Sequence, residues 1–384
     1  MESENMSLIA MLRQMDQAGV DQEDARRHLL FENYMHYEAR EKGVPQMGVL
    51  ELTPQCNFDC KMCYVHLQKE QMKGQQELPG DIWINLIDQA MEEGMMDVQL
   101  TGGEAMLHPD FDRIYLHLFD RGIRTVVMTN GLLLTEERIA FFKKYPPRSI
   151  QITLYGGDEE CYERVTGYRL YGRVTEHIKM AKEIGCKICL AVTPSRYLRA
   201  EDVIKTIEFA REQELVIRVN NDLNQPNEET GRNREDFDVE LEDYIRLRKM
   251  WREFVHGEVK NRRESVPEEG TSDQEVFGVK CGAGRSMFCI TWKGEMKACL
   301  NLPFGSDPVA EGFRSSWQFI NRQAEAWPIP AECMECIYSN ICNRCPALHA
   351  EGARKGHADR RICARTKRLV AEGLEDLPEE AVNE

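Results

Sequence analysis

Six short runs rich in β-branched residues recur between residues 47 and 220, and a segment compatible with a helix separates each from the next. Two of these segments, Asp81 to Gly94 and Glu201 to Gln213, carry apolar residues three and four positions apart, which is typical of amphipathic helices. Alternation of this kind predicts an α/β fold in which parallel strands form a partial (β/α)6 TIM-like barrel. Ligands of such folds bind at the carboxyl ends of the strands. The six runs are MGVLELT, MDVQLT, GIRTVVMT, SIQITLY, CKICLAVT and ELVIRVN.

The 384 residues divide by composition into five segments. We expect an N-terminal helical segment over 1–45, read as two short helices, and the barrel over 46–225. The polar, turn-rich stretch that follows leads into a helix with a mixed charged face, which predicts a helical bridge over 226–275. Residues 276–370 hold many cysteines and few strong strands, so metal coordination is expected to replace a large core there. Residues 371–384 form an acidic tail.

The charge and the apolar pattern exclude several classes of function. A formal charge of −16 argues against a protein that follows a nucleic-acid backbone. No apolar run approaches the roughly 20 residues of a membrane span, and acids stand where a secretory signal carries bases. We therefore expect a cytoplasmic protein that binds neither nucleic acid nor membrane.

Eleven of the fourteen cysteines lie in two groups, and in a reducing compartment clustered cysteines are metal ligands or redox groups more often than disulfides. The other three, Cys161, Cys186 and Cys189, are expected to be small buried side chains. The first group is Cys56, Cys60 and Cys63, in a C-x3-C-x2-C spacing directly after the first strand. Thiolates suit zinc or iron–sulfur clusters, and three of them leave one iron of a four-iron cluster open. The alternative is a zinc site completed by His66.

The segment VQLTGGEAMLHPD places Gly102, Gly103 and Glu104 at the end of the second strand. Two glycines let a backbone approach a ligand closely, and a carboxylate can bind an ammonium group. Together with the cysteine spacing one strand earlier, this segment resembles the radical S-adenosylmethionine (radical SAM) superfamily over residues 46–225. Met62 and Ala105 depart from the usual pattern, but neither removes a ligand.

The resemblance implies a [4Fe–4S] cluster with an open iron site, held by Cys56, Cys60 and Cys63, together with S-adenosylmethionine. It implies reductive cleavage of S-adenosylmethionine to a 5′-deoxyadenosyl radical, with a flavodoxin or ferredoxin as electron donor. Asn130 and Thr153 end the third and fourth strands and are candidate nucleoside contacts, although both could simply be turn-forming residues. The full set of implied cofactor contacts is Tyr64, Gly102, Gly103, Glu104, Asn130 and Thr153.

The second cysteine group resembles the SPASM extension of radical SAM enzymes, which binds one or two auxiliary [4Fe–4S] clusters. One spacing differs, because two residues rather than three separate Cys342 from Cys345. A zinc ribbon, with four thiolates per metal, is the alternative. Following the connectivity of the family, one cluster takes Cys281, Cys289, Cys299 and Cys345, and the other takes Cys333, Cys336, Cys342 and Cys363.

Three functions fit these features. The first is a peptide maturase that cross-links, oxidises or epimerises a ribosomally made peptide. The SPASM resemblance favours this function, because SPASM domains are found mostly on enzymes that modify such peptides or proteins. The second is a dehydrogenase or epimerase of a sugar-type or aminoglycoside-type small molecule. The third is a noncatalytic iron–sulfur electron carrier, against which the intact triplet and the GGE segment argue. Leu300 and Asn301 follow Cys299 where sulfatase-maturing relatives have an aspartate base, so sulfatase maturation is not expected.

Overall fold

The computed structural model describes residues 22–220, 223, 226–256, 281–339, 341–342, 345–349 and 357–375. Its centre is one sheet with the strand order β6-β5-β4-β3-β2-β1-β7-β8-β9. Strands β1 to β7 run parallel, and β8 and β9 complete the sheet in antiparallel pairing. The predicted α/β fold and its six barrel strands are confirmed. The strands are β1 (Met47–Glu51), β2 (Asp97–Thr101), β3 (Arg124–Thr129), β4 (Ser149–Thr153), β5 (Ile188–Val192), β6 (Val216–Val219), β7 (Met287–Ile290), β8 (Met296–Lys297) and β9 (Gly305–Ser306).

Strand β7 comes from the cysteine-rich segment yet pairs in parallel with β1. The sequence analysis places this segment in a separate unit, whereas its first strand extends the barrel sheet. The physical reason is the free edge of β1, whose backbone donors and acceptors need a partner strand. Gly48 is required at this contact, because a Cβ there would lie 2.8 Å from Cζ of Phe288.

The predicted helices at Asp81 to Gly94 and Glu201 to Gln213 appear at nearly those bounds, as α2 and α7. Within 22–45 the structure has one helix, α1, while 1–21 lie outside the described residues. The bridge helix appears as α8, and residues 257–280 lie outside the described part. The helices are α1 (Gln22–Lys42), α2 (Gly80–Glu92), α3 (Phe111–Asp120), α4 (Glu136–Lys144), α5 (Glu159–Thr166), α6 (Tyr171–Glu183), α7 (Ala200–Glu212), α8 (Leu241–His256), α9 (Pro308–Glu311), α10 (Phe313–Glu325), α11 (Ala331–Met334) and α12 (Arg360–Ala371).

The two faces of the barrel sheet differ in polarity. Strand residues turned to the helices are buried and apolar, such as Leu50, Val127 and Ile152, and they form one continuous core with the helices. Alternate residues turn to the opposite, inner face, where half-buried polar side chains lie beside apolar ones such as Val126 and Met128. A barrel filled by its own side chains carries branched apolar residues on that face, so this one has an inner surface suited to a polar ligand. Its polar members include Gln99, Thr101, Gln151 and Thr153.

Helix α1 is tied to the amino-terminal edge of the sheet by an ion-pair network. Glu32 accepts from Arg124 at 2.6 Å and from Arg148 at 2.8 Å, and both arginines also pair with Asp97. This edge is opposite the one at which the cysteine loop lies. Among the described helices, none is both long enough and apolar enough to cross a membrane.

Candidate radical SAM site

The loop after β1 holds the first three cysteines by local packing and backbone hydrogen bonds. Phe58, between Cys56 and Cys60, is 1% exposed and packs edge-on against Tyr155 and Tyr162, with ring centroids 6.0 and 6.3 Å away. The Phe58 N–H donates to Sγ of Cys56 at 3.4 Å. A second backbone donor, the N–H of His66, reaches Sγ of Cys63 at 3.3 Å. Donors aimed at sulfur favour the thiolate, which is the form that binds iron.

Without a metal these thiols are held in the neutral form. Burial raises the pKa of Cys56 to about 12, and burial also raises the pKa of Cys60 and of Cys63. The charge of Cys63 adds a smaller contribution to the raised pKa of both Cys56 and Cys60. None of the fourteen cysteines forms a disulfide. His66, the alternative zinc ligand, lies with Nδ1 3.5 Å from the Asp59 carboxylate.

The two glycines of the GGE segment bring its backbone against the chain that leads into the cysteine loop. The Gly103 N–H donates to the Thr53 carbonyl at 2.7 Å, and the next N–H, of Glu104, donates to Gln55 at 2.8 Å. A Cβ on Gly102 would lie 2.4 Å from the Thr53 oxygen, and one on Gly103 would lie 2.3 Å from the Gln55 oxygen. No side chain fits in that space. The glycines therefore have a structural function that the sequence analysis did not assign: they let β2 position the cysteine loop.

Glu104 is fully buried and holds the end of β3 in place. Its carboxylate accepts hydrogen bonds from the Thr129 hydroxyl at 2.8 Å and from the Asn130 N–H at 2.9 Å. It also accepts from the Met106 N–H at 3.4 Å. Burial raises the pKa of Glu104 to about 7. The carboxylate expected to bind an ammonium group is thus already paired with protein donors, and its contact with the cofactor stays a prediction.

Of the two candidate nucleoside contacts, Asn130 lies at the cysteine loop. Its side-chain amide donates to Asn57 at 2.6 Å and lies 3.6 Å from Sγ of Cys56. Thr153, the last residue of β4, is half-buried and pairs through its backbone register with Ala191 of β5. Among the described residues, its side chain makes no polar contact with the cysteine loop. Both assignments stay predictions.

Tyr64 lies between the two cysteine groups. Burial raises the pKa of its phenol, and the charges of Glu51, Cys63, Cys299 and Cys289 raise it further. The same loop therefore approaches both the first triplet and the second group. Its expected cofactor contact stays a prediction.

Arg232 was not identified from the sequence, although it contacts the cysteine loop directly. One guanidinium nitrogen donates to the carbonyls of Cys60 and Cys63, at 2.9 and 3.1 Å. The other donates to the Asp59 carboxylate at 2.9 Å. The arginine is more than 160 residues away in sequence, in a polar stretch interpreted only as a bridge, and no local signal marks it.

Glu51, the last residue of β1, is the second residue that the sequence analysis missed. It is 1% exposed, and burial raises its pKa to about 8, opposed by the positive charge of Lys297. Neither of its carboxylate oxygens has a hydrogen-bond partner among the described residues. A charged residue inside the apolar run VLEL is the signal that could have identified it.

The second cysteine group divides into two neighbourhoods. Burial raises the pKa of Cys281 to about 11, with smaller contributions from the charges of Cys345 and Cys299. Burial likewise raises the pKa of Cys289, and the charge of Cys299 adds to it. In the other neighbourhood, burial raises the pKa of Cys333, and the charges of Cys363, Cys342 and Cys336 add to it. These neighbours match the two predicted ligand sets, whose ligation stays a prediction. Cys161 is fully buried as expected, and Cys186 and Cys189 are half-buried.

The donor set suits an iron–sulfur cluster. A four-iron cluster takes one thiolate per iron, so its ligands surround the cluster and do not converge on one ion. The first triplet supplies three free thiols, and backbone N–H groups that donate to two of the sulfurs favour the thiolate form that binds iron.

Residues 50–210 match the radical SAM superfamily. The chain contains a radical SAM domain. The match runs from the end of β1 into α7 and includes the cysteine loop and the GGE segment, and it confirms the resemblance drawn from those motifs. S-adenosylmethionine and a [4Fe–4S] cluster are the cofactors of this superfamily, so the predicted cofactor class is confirmed with it.

Among curated proteins, the radical SAM domain is similar to a PqqA peptide cyclase from Bradyrhizobium diazoefficiens, with 30% identity over 127 residues. That match covers 33% of each chain, so this chain spans about a third of the length of that relative. An AdoMet-dependent heme synthase from Methanosarcina barkeri is 24% identical over 329 residues, covering 79% of this chain and 92% of the relative.

Among solved structures, SuiB of Streptococcus suis bound to S-adenosylmethionine has a TM-score of 0.67 and 17% identity. It covers 92% of this chain and 87% of its own. SuiB bound to its precursor peptide SuiA gives a TM-score of 0.66 at 17% identity, covering 88% and 81%. The shared fold extends beyond the radical SAM domain into the cysteine-rich segment, which confirms a partial barrel followed by a cysteine-rich domain.

Proposed function

We propose that this chain is a radical SAM/SPASM enzyme that abstracts hydrogen from a ribosomally made peptide. The observation that carries the proposal is the position of the three free thiols, at the carboxyl end of β1 and beside an inner sheet face that includes half-buried polar side chains. In a barrel filled by its own side chains, this face would be packed and closed to a ligand. Here a reactive site at that edge lies next to a surface that can bind a substrate.

When bound, the cluster and S-adenosylmethionine supply a 5′-deoxyadenosyl radical. The chain's own residues position the site. The N–H groups of Phe58 and His66 stabilise two thiolates, and Arg232 fixes the loop from outside. Glu104 aligns the end of β3, so that the Asn130 amide lies beside Cys56. The buried aromatic packing around Phe58 excludes water from the base of the loop.

Two comparisons support a peptide as the substrate. The curated relative with 30% identity acts, by its name, on the peptide PqqA, and the neighbour SuiB is seen with its precursor peptide SuiA. The product is a cross-linked, oxidised or epimerised peptide. A cytoplasmic location and a flavodoxin or ferredoxin donor remain part of this proposal.

The test is to incubate the anaerobically reconstituted enzyme with peptides encoded beside its gene, S-adenosylmethionine and a reductant. Mass spectrometry then separates the outcomes. Loss of two hydrogens indicates cross-linking or oxidation, and gain of one deuterium in heavy water indicates epimerisation. No mass change in any peptide would contradict the proposal.

A second candidate is the modification of a small molecule. The observation in its favour is the similarity to the heme synthase of M. barkeri, which covers 92% of that relative. Turnover of a porphyrin, a sugar or an aminoglycoside, with all peptides unchanged, would decide for this alternative.

The proposal includes two auxiliary clusters with the ligand sets predicted above. Alanine at Cys56, Cys60 and Cys63 removes only the first cluster's ligands, so that variant should keep about eight irons per chain if both auxiliary clusters have four irons. Iron near about four per chain would mean that one auxiliary site is absent or differently filled.

A further inference from the structure

The last residue of β1, Glu51, has its side chain on the inner face of the sheet. Side chains alternate along a strand, and Leu50 and Leu52 belong to the helix-facing core. Glu51 therefore turns to the face that carries Thr101, its register partner on β2. It stands at the carboxyl end of β1, five positions before the first cysteine of the loop.

The charges around Glu51 place it between the two cysteine groups. Burial is the main cause of the raised pKa of Tyr64 and Cys63 on the loop side and of Cys289 on β7, and the charge of Glu51 adds to it at all three. The positive charge that acts on Glu51 is Lys297 on β8. That lysine pairs with Glu295 instead, at 3.7 Å, and leaves both Glu51 oxygens without a hydrogen bond among the described residues.

A buried carboxylate without a partner lowers the stability of the folded chain. Such a group persists where it serves a function that outweighs the loss. The missing partner is a positive charge, because a lone buried carboxylate is best compensated by an opposite charge that also donates hydrogen bonds.

We propose that Glu51 is a substrate-binding residue whose carboxylate pairs with a positively charged nitrogen of the peptide, the ammonium of a lysine or the guanidinium of an arginine. This inference rests on the proposed peptide-modifying function. Since Glu51 is closed off in the free chain, binding needs a flexible neighbour to move. We assign this movement to Lys297, whose charge acts on Glu51 and which is 18% exposed and paired with the more exposed Glu295.

The first test is stability, measured on the metal-free protein. Glu51→Gln keeps the shape of the side chain and removes its ability to ionise. Its thermal unfolding midpoint is expected to equal or exceed that of wild type, because no native partner is lost. A lower midpoint would show that a protein group already satisfies the carboxylate, and would overturn the proposal. Glu70→Gln, at an exposed position of the loop region, is the matched control.

The second test separates substrate from cofactor. With the reconstituted enzyme, cleavage of S-adenosylmethionine in the absence of peptide is measured for wild type and for Glu51→Gln as the reference for cofactor binding. Glu51→Gln should raise KM for the peptide by about tenfold or more, as loss of a buried charge pair does at an interface. Loss of cleavage without peptide would place Glu51 at the cofactor instead, and an unchanged KM would exclude any substrate contact.

The third test identifies the nitrogen. Each lysine and arginine of the modified peptide is replaced in turn by glutamine, and KM is measured with wild type and with Glu51→Gln. One replacement should raise KM for wild type and leave KM for the variant unchanged. Additive effects at every position would overturn the pairing. If wild type modifies no peptide, the proposed function fails, whereas modification with equal kinetics in the variant fails this inference alone.

Discussion

Replacement of Arg232 by methionine removes the guanidinium while keeping much of the apolar stem. The structure loses two hydrogen bonds to the carbonyls of Cys60 and Cys63 and the ion pair with Asp59. A hydrogen bond from a charged donor contributes about 1.5–3 kcal/mol, but the two carbonyl bonds share one nitrogen and so count as little more than one. The Asp59 pair, whose carboxylate is 49% exposed, adds at most about 1 kcal/mol.

The expected loss for Arg232→Met is therefore about 3 kcal/mol in the equilibrium between the ordered and open cysteine loop, a factor of roughly 100. The assay is reconstitution with limiting iron and sulfide, followed by iron analysis and measurement of the reduction potential of the first cluster. Because the auxiliary ligands do not touch Arg232 through any described contact, iron should fall by up to about four per chain and no further.

The matched control is Arg169→Met, since Arg169 forms a surface pair with Glu163 at 2.9 Å, with both side chains more than half exposed. That variant should bind iron like wild type. The reasoning would be refuted if Arg232→Met retained full iron, an unchanged reduction potential and an unchanged unfolding midpoint. Arg232→Lys, which keeps the charge but not the fork of donors, should fall between the two.

Three further predictions concern other parts of the chain. Gly103→Ala should lower both the unfolding midpoint and the iron content, since its Cβ would lie 2.3 Å from the Gln55 oxygen. The control Gly172→Ala, whose Cβ would have its nearest contact at 3.2 Å, should leave iron binding intact. Equal iron content in the two variants would contradict the role given to the GGE backbone. Glu51 has a pKa of about 8 in the folded state against an ordinary value of 4.5. Between these pH values the folded state keeps a proton on Glu51 that the unfolded state has lost. The free energy of unfolding should therefore fall as pH rises from about 4.5 to about 8. Urea unfolding of the metal-free protein should show a smaller fall over that range for Glu51→Gln than for wild type, and parallel pH profiles would refute the assignment. Asp238→Asn should destabilise the docking of α12 by about 3–5 kcal/mol, because Arg365 lies 3.0 Å from this carboxylate and both side chains are buried. If the variant had the same free energy of unfolding as wild type, a stabilising buried ion pair would be excluded.

The barrel strands and the site motifs could be predicted from the sequence because their signals are local. The six β-branched runs and the cysteine spacing are each contained within a few residues, and the structure has the strands where the pattern indicates them. The grouping of Asn130 with Cys56 also follows, since parallel strands end at one edge.

The remaining features depend on contacts between distant residues. Pairing of β7 with β1 joins positions about 240 residues apart, and nothing in MFCI marks it as a barrel strand. Arg232 reaches the cysteine loop from a stretch without helical or strand periodicity. The dual use of the GGE segment was missed because glycine tolerates close approach by a ligand and by backbone alike, and only coordinates show Thr53 and Gln55 in that space.

The central claim is that Cys56, Cys60 and Cys63 hold a cluster that cleaves S-adenosylmethionine. The most direct measurement is the formation of 5′-deoxyadenosine by anaerobically reconstituted, reduced protein, compared between wild type and the variant with alanine at all three cysteines. Wild type should produce 5′-deoxyadenosine, and the variant should produce none while keeping its auxiliary iron. Cleavage at the wild-type rate by the triple variant would contradict the claim.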